Sequence, residues 1–158
     1  TTVVSRLFDH CQPHAAYFGE KDYQQLKVVE KMTEQLGLDI RIVGVPTVRA
    51  RSGIALSSRN AYLNDAEMRV ASELYATLVA VAGRMKPGID LGAQCMWGSQ
   101  TLLDAGFDKV DYFEIRVANT LAPAGSYGRG LRIFAAATIG ETRLIDNLSV
   151  DALVVSFD

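Results

Sequence analysis

The sequence predicts an α/β segment with parallel strands, followed by an α+β unit with a small antiparallel sheet. Three observations carry that reading. A strand, helix, strand pattern fits within about 30 residues, the length of one βαβ unit. Further along, the apolar period drops from helical spacing to strict alternation. The composition is that of a folded globular chain: of 158 residues, 49% are hydrophobic and 22% charged, and 16 Lys and Arg against 18 Asp and Glu leave a net charge of -2. That balance argues against extensive disorder and supplies no global field for nucleic acid or anionic lipid.

Taken in order, Val4, Leu7, Phe8 and Cys11 fall at helical spacing, and Pro13 forces the chain out of the helix. Thr1-Thr2-Val3-Val4 read as the interior of that helix, with its start upstream. Ala15 to Gly19 is a short apolar run closed by a glycine, expected as a buried strand. From Asp22 the period becomes helical: Leu26, Val29, Met32 and Leu36 line one face, Asp22 and Gln25 have capping-box spacing, and Gly37 is the stop. Ile40, Ile42, Val43 and Val45 give a second strand, ended by Pro46. Parallel strands need cover on both faces, and two of them make a very small sheet, so the expectation is the end of a doubly wound domain whose earlier strands lie upstream or on another molecule.

Residues 47–63 are rich in Ser and Arg and are expected as a connecting loop, the kind of segment where function collects. Asn64 and Glu67 cap a long helix with Val70, Leu74, Leu78, Val81 and Met85 along its stripe, ending at Pro87-Gly88. A further helix is expected to turn Leu91, Met96, Leu102 and Leu103 inward and to stop at Gly106. Phe113, Ile115 and Val117 then alternate with Tyr112, Glu114 and Arg116, and two more strands follow at Leu131 to Thr138 and Thr142 to Val150. The turn-forming stretch PAGSYGRG separates the first two of these three strands.

Chemistry has two natural places to sit. Tyr17-Phe18-Gly19-Glu20-Lys21-Asp22 lies between the carboxyl end of a parallel strand and a helix N-terminus, where open α/β sheets bind ligands. Free backbone N–H groups attract anions there, Lys21 can meet a phosphate as a point charge, and Gly19 allows close backbone approach. The alternative is a solvated Lys21 beside a plain helix cap at Asp22. Ser57-Ser58-Arg59-Asn60 is the second place, since an arginine fork and serine hydroxyls suit a polyphosphate. Its alternative is an ordinary Ser/Asn turn. Together the two loops could close on one phosphate chain.

Other features are weaker. His10 and His14 have the spacing of a helical metal pair, but Pro13 interrupts it and no Glu accompanies them, so no metal site is expected. Trp97 and the tyrosines read as packing groups, and Glu114 with Arg116 as a solvated cross-strand pair. Cys11 and Cys95 lie far apart, which indicates neither a disulfide framework nor a zinc site. With no apolar run of about 18 residues and no basic-then-apolar leader, the expected location is cytoplasmic, with no membrane partner.

Four segments in order, YFGEKDYQQL, PTVRARSGIALSSRNAYL, VDYFEIR and TRLIDNL, closely resemble the pantothenate synthetase (pantoate:beta-alanine ligase) family over essentially the whole chain. The resemblance covers the later part of the family pattern. It implies that residues 1–47 are the last piece of a Rossmann-like domain of the nucleotidyltransferase type and residues 48–158 an α+β lid domain. It also implies an AMP-forming condensation of pantoate with beta-alanine through a pantoyl adenylate, with ATP and Mg2+ as cofactors and a homodimer as the assembly. By similarity, Lys21, Ser57 and Arg59 hold the phosphates and act in catalysis, with Ser58 beside them. Gly19 and Asp22 hold the ribose, Val48 the adenine through its backbone, and Gln25 the pantoate.

The family's paired-histidine nucleotide motif has no counterpart among these residues, and His10 and His14 lie in the wrong context to replace it. The expectation is therefore a fragment that needs the missing N-terminal half as its partner and is inactive alone. Two other readings stay open: an interaction or dimerisation domain without catalysis, and a nucleotidyltransferase with another acceptor.

Overall fold

The computed structural model describes residues 2–152; Thr1, read above as helix interior, lies outside them. The chain divides into two compact units, Thr1–Thr47 and Val48–Asp158.

In the first unit, helix α1 (Thr2–Cys11) precedes strand β1 (Ala15–Gly19), helix α2 (Tyr23–Gln35) and strand β2 (Arg41–Val45). Strands β1 and β2 pair in parallel, Ala15 opposite Arg41 through Gly19 opposite Val45. Phe8, Val29 and Met32 form a small core, with Val4, Ala16, Phe18 and Ile42 packed against it. Two details differ from expectation. Strand β1 is only partly covered, and Tyr17 is 66% exposed, because a two-stranded sheet with helices on one side leaves its other face bare. Asp22 makes no side-chain capping bond; a short 3-10 turn (Glu20–Asp22) feeds straight into α2 and takes over the work of a cap. Gly37, at φ 62°, ends the helix as its position foretold, and Leu38 N–H donates back to Thr33 O at 3.0 Å.

The second unit packs helices α3 (Asp65–Arg84) and α4 (Leu91–Asp104) on an antiparallel sheet of β3 (Lys109–Val117), β4 (Leu131–Ile139) and β5 (Thr142–Ser149), in the order β3-β4-β5. Leu78, Val81, Leu102 and Ile133 are essentially sealed from solvent. Helix α3 starts with the expected capping box: Asn64 accepts from the N–H of Ala66 and Glu67, and Glu67 accepts from the N–H of Asn64 at 2.9 Å. Helix α4 turns differently from expectation. Leu91, Gln94, Gly98 and Leu102 face inward, whereas Met96 is 70% and Leu103 40% exposed. The reason is Gly98, whose missing side chain lets the helix lie against Phe113: a Cβ there would sit 2.6 Å from the ring. Glu114 and Arg116 do pair, at 2.7 Å, but along one strand instead of across two. No described helix is long and apolar enough to cross a membrane.

Candidate functional site

The first unit gathers four candidate residues at one point. Gly19 ends β1 in extended conformation and is open enough that a Cβ would meet nothing within 4 Å. Lys21 and Asp22 occupy the 3-10 turn, and Gln25 lies exposed on the first turn of α2. The arrangement follows from the sequence: the strand must stop where the parallel ladder ends at Gly19 opposite Val45, and α2 begins at Tyr23, whose ring is buried. The N-terminal end of the α2 dipole lies at this turn, where Lys21 stands between the carboxylates of Glu20 and Asp22.

The second unit gathers the other four, and its segment 48–63 is more ordered than a plain loop. Residues 48–56 form a miniature hairpin: Arg49 bridges Ala55, Leu56 N–H donates to Val48 O at 2.9 Å, and Ala50 N–H donates to Ile54 O at 2.9 Å. Gly53 closes the turn at φ 89°, and a Cβ on it would stand 2.9 Å from the Tyr75 ring, so this turn needs a glycine twice over. A 3-10 turn (Ser58–Tyr62) follows. Ser57 caps it, its hydroxyl accepting from Arg59 N–H at 3.3 Å and its carbonyl from Asn60 N–H at 3.1 Å. Asn60 ties the turn back through a 3.1 Å bond from Nδ2 to Ala55 O. Ser58 and Arg59 are exposed, and Val48 is 64% exposed. An open cleft of about 640 Å³, lined by Tyr62, Glu67, Glu141 and Arg143, has Arg59 on its wall. A cation and hydroxyls are thus presented on a short, internally bonded turn.

What holds this segment is a contact whose partners no local pattern in the sequence links. Arg49 reaches the core face of β5 and forms a bidentate pair with Asp146, at 2.5 and 2.9 Å. The same guanidinium donates to Gly53 O at 3.1 Å and lies 3.6 Å over the Tyr75 ring. Asp146 sits between the buried Leu144 and Leu148, and its side chain is 2% exposed. The available signal was an acid on the apolar face of an alternating strand, which must find a cation to be buried at all.

Solved structures set the class of the fold. The chain resembles the pantothenate synthetase of Thermus thermophilus with a TM-score of 0.85 and 44% identity, covering 94% of this chain and 54% of that one. It also resembles the pantoate-beta-alanine ligase of Francisella tularensis, solved in complex with beta-gamma ATP and beta-alanine, with a TM-score of 0.69 and 29% identity, covering 95% of this chain and 49% of that one. These are ligases.

The family follows directly. The model of the pantoate-beta-alanine ligase family matches residues 1–149, and the chain belongs to that family. Among curated relatives it is 52% identical to the pantothenate synthetase of Nitrobacter winogradskyi over 95% of this chain and 53% of the relative. It is 50% identical to that of Azotobacter vinelandii over 95% and 53%. The chain therefore spans about half the length of the curated relatives it matches.

Proposed function

We propose that the chain serves in an ATP-dependent, AMP-forming ligase that joins pantoate to beta-alanine. In the first step a pantoate carboxylate oxygen bonds to the α-phosphorus of ATP and pyrophosphate leaves. In the second the amine of beta-alanine bonds to the acyl carbon, loses a proton, and AMP leaves. Neither step needs a protein nucleophile, because the carboxylate and the amine supply the electron pairs. The protein's part is to position the reactants and stabilise charge, and preorganised donors do that best.

The observation that carries the reading is a pair of short turns, one with Lys21 and the other with Ser57, Ser58 and Arg59. Lys21 at the head of α2, and Ser57, Ser58 and Arg59 on the 3-10 turn, are the residue types that hold polyphosphate. In this proposal Lys21, Ser57 and Arg59 hold the phosphates, with Ser58 adding a hydroxyl, and stabilise charge on the leaving pyrophosphate. Gly19 and Asp22 take the ribose and Gln25 takes pantoate. Val48 reads adenine through its backbone; its carbonyl already accepts from Leu56 but keeps a second lone pair. Residues 1–47 act as the closing part of the nucleotide domain and residues 48–158 as a lid.

Among the described residues no three His, Cys, Asp or Glu side chains converge, so a cage built from protein carboxylates does not fit Mg2+. An ion that keeps its waters and rides on the nucleotide phosphates fits, and when bound it would neutralise phosphate charge. The remaining substrate contacts and the paired-histidine motif belong, in this proposal, to the upstream half that the relatives carry. Catalysis requires that half, the enzyme works as a cytoplasmic homodimer, and the 158-residue chain alone lacks turnover.

The test is pantoate-dependent exchange of pyrophosphate into ATP. A chimera of this chain with the upstream half of the Nitrobacter winogradskyi relative should exchange, and the chain alone should not. Exchange by the chain alone would overturn the division of labour. Exchange by the chimera without pantoate would overturn the acceptor.

A further inference from the structure

We infer that Arg49 and Asp146 are positioning residues that set the nucleotide-binding edge of the second unit, acting through the hairpin 48–56 and the turn after it. This rests on the proposed nucleotide role of Val48, Ser57 and Arg59.

The segment TRLIDNL stands out in the sequence, yet beyond Thr142 and Arg143 on the wall of the cleft none of its residues lines the candidate site. Its Asp146 supplies the explanation. Both carboxylate oxygens are engaged by Arg49, and Oδ1 also accepts from the N–H of Asn147 at 2.8 Å. The guanidinium spends its remaining reach on Gly53 O and the Tyr75 face. One side chain thus joins the hairpin tip, helix α3 and strand β5, and it is the immediate neighbour of Val48. From Val48 the geometry passes on through bonded steps: Leu56 N–H to Val48 O, Asn60 Nδ2 to Ala55 O, and Asn60 N–H to Ser57 O, which caps the turn carrying Arg59.

Stability alone does not call for such a pair. A buried ion pair often does no better than apolar residues of the same volume, because desolvation cancels the attraction. What the pair supplies is direction: a planar fork on a carboxylate, with a ring beneath it, has one geometry. Hydrophobic contacts at Ile54 and Ala55 could bury the hairpin, but they would allow it to slide.

The experiment compares Asp146→Asn, Arg49→Lys and Tyr75→Leu in the chimera, at a temperature where each is folded by circular dichroism. The expected result is a rise in KM for ATP of about 10- to 100-fold, the usual effect of removing a group that orients a binding residue, with KM for pantoate unchanged and kcat changed much less. Arg49→Lys should fall between the parent and Asp146→Asn. Hydrogen exchange on the unfused 158-residue chain gives a second readout: the amides of Ala50, Leu56 and Asn60 should lose protection while those of α3 around Leu78 keep it. A uniform loss of active enzyme with KM for ATP unchanged, or unaltered protection of the hairpin, would overturn the inference. If the parent chimera shows no ATP-dependent exchange at all, the proposed function fails, and hydrogen exchange alone then decides whether the pair holds the hairpin.

Discussion

The two units solve the same problem, holding a short turn with a candidate phosphate-binding cation, with very different means. In the first, the turn with Lys21 rests on a two-stranded parallel sheet and a core built around Phe8, Val29 and Met32. In the second, the turn with Ser57 and Arg59 rests on a sheet whose central strand buries Ile133, Ala135 and Ala137 completely. The hairpin that precedes it is tied to β5 by a buried ion pair. Strand ends and helix polarity orient the first turn; a long-range side-chain bond orients the second. The lesson is that a parallel pair delivers its binding groups through backbone geometry, whereas a loop outside the ladder needs a purpose-built anchor.

The largest effect that would sharpen this contrast is on catalysis. Lys21→Ala in the chimera should lower the adenylation rate by about 100- to 1000-fold, the cost of losing one charge-stabilising donor, while leaving thermal stability nearly unchanged. Rapid-quench measurement of pantoyl adenylate checks it. A near-normal rate would remove Lys21 from the site.

Next come the cores. Leu78→Ala should cost about 2 to 5 kcal/mol, because Leu78 is wholly buried and rigid neighbours cannot refill the space. Gly98→Ala should cost about 1 to 3 kcal/mol for the opposite reason, since its new methyl meets the Phe113 ring. Urea unfolding followed by hydrogen exchange should show both losses in the second unit while the amides of β1 and β2 keep their parent protection. Equal losses in both units would mean that they unfold as one body.

A smaller change is expected at the cap of α3. Asn64→Ala removes both capping bonds and should cost about 1 kcal/mol by urea unfolding, with added exchange only in the first turn of that helix.

The smallest effect is electrostatic. Asp111 is the residue left over at a bulge between Val110 and Tyr112, and hydrogen bonds from Lys109 and Arg143 hold its carboxyl below the usual range. A carboxyl lowered in the folded state adds stability above its unfolded pKa and loses it as pH falls through the folded value. Asp111→Asn should therefore lower stability slightly near neutrality and leave it unchanged in strong acid, which flattens the acid limb of the stability curve. The group is exposed, so a large drop at neutrality would contradict its solvent screening.

Much of this was legible in the residues. The βαβ order, the stop at Gly37 and the Asn64–Glu67 box are local patterns that hold, whereas the equally local Asp22–Gln25 spacing gives way to a 3-10 turn. The two turns with Lys21 and Arg59 were legible too, as residue types at the ends of elements. The Arg49–Asp146 pair was not, because its partners stand 97 positions apart and no periodicity links them. The inward face of α4 differs from the expected one for a related reason. Hydrophobicity favoured Met96 and Leu103, whereas close approach to Phe113 favoured Gly98, and only the packed structure shows which wins.

The proposal that Lys21 and Arg59 serve one triphosphate is tested most directly by a double-mutant cycle on pantoate-dependent ATP–pyrophosphate exchange in the chimera. Groups acting as a unit are strongly non-additive, so Lys21→Ala with Arg59→Ala should lose about as much as the worse single variant. Losses that simply multiply, or full exchange in either single variant, would contradict it.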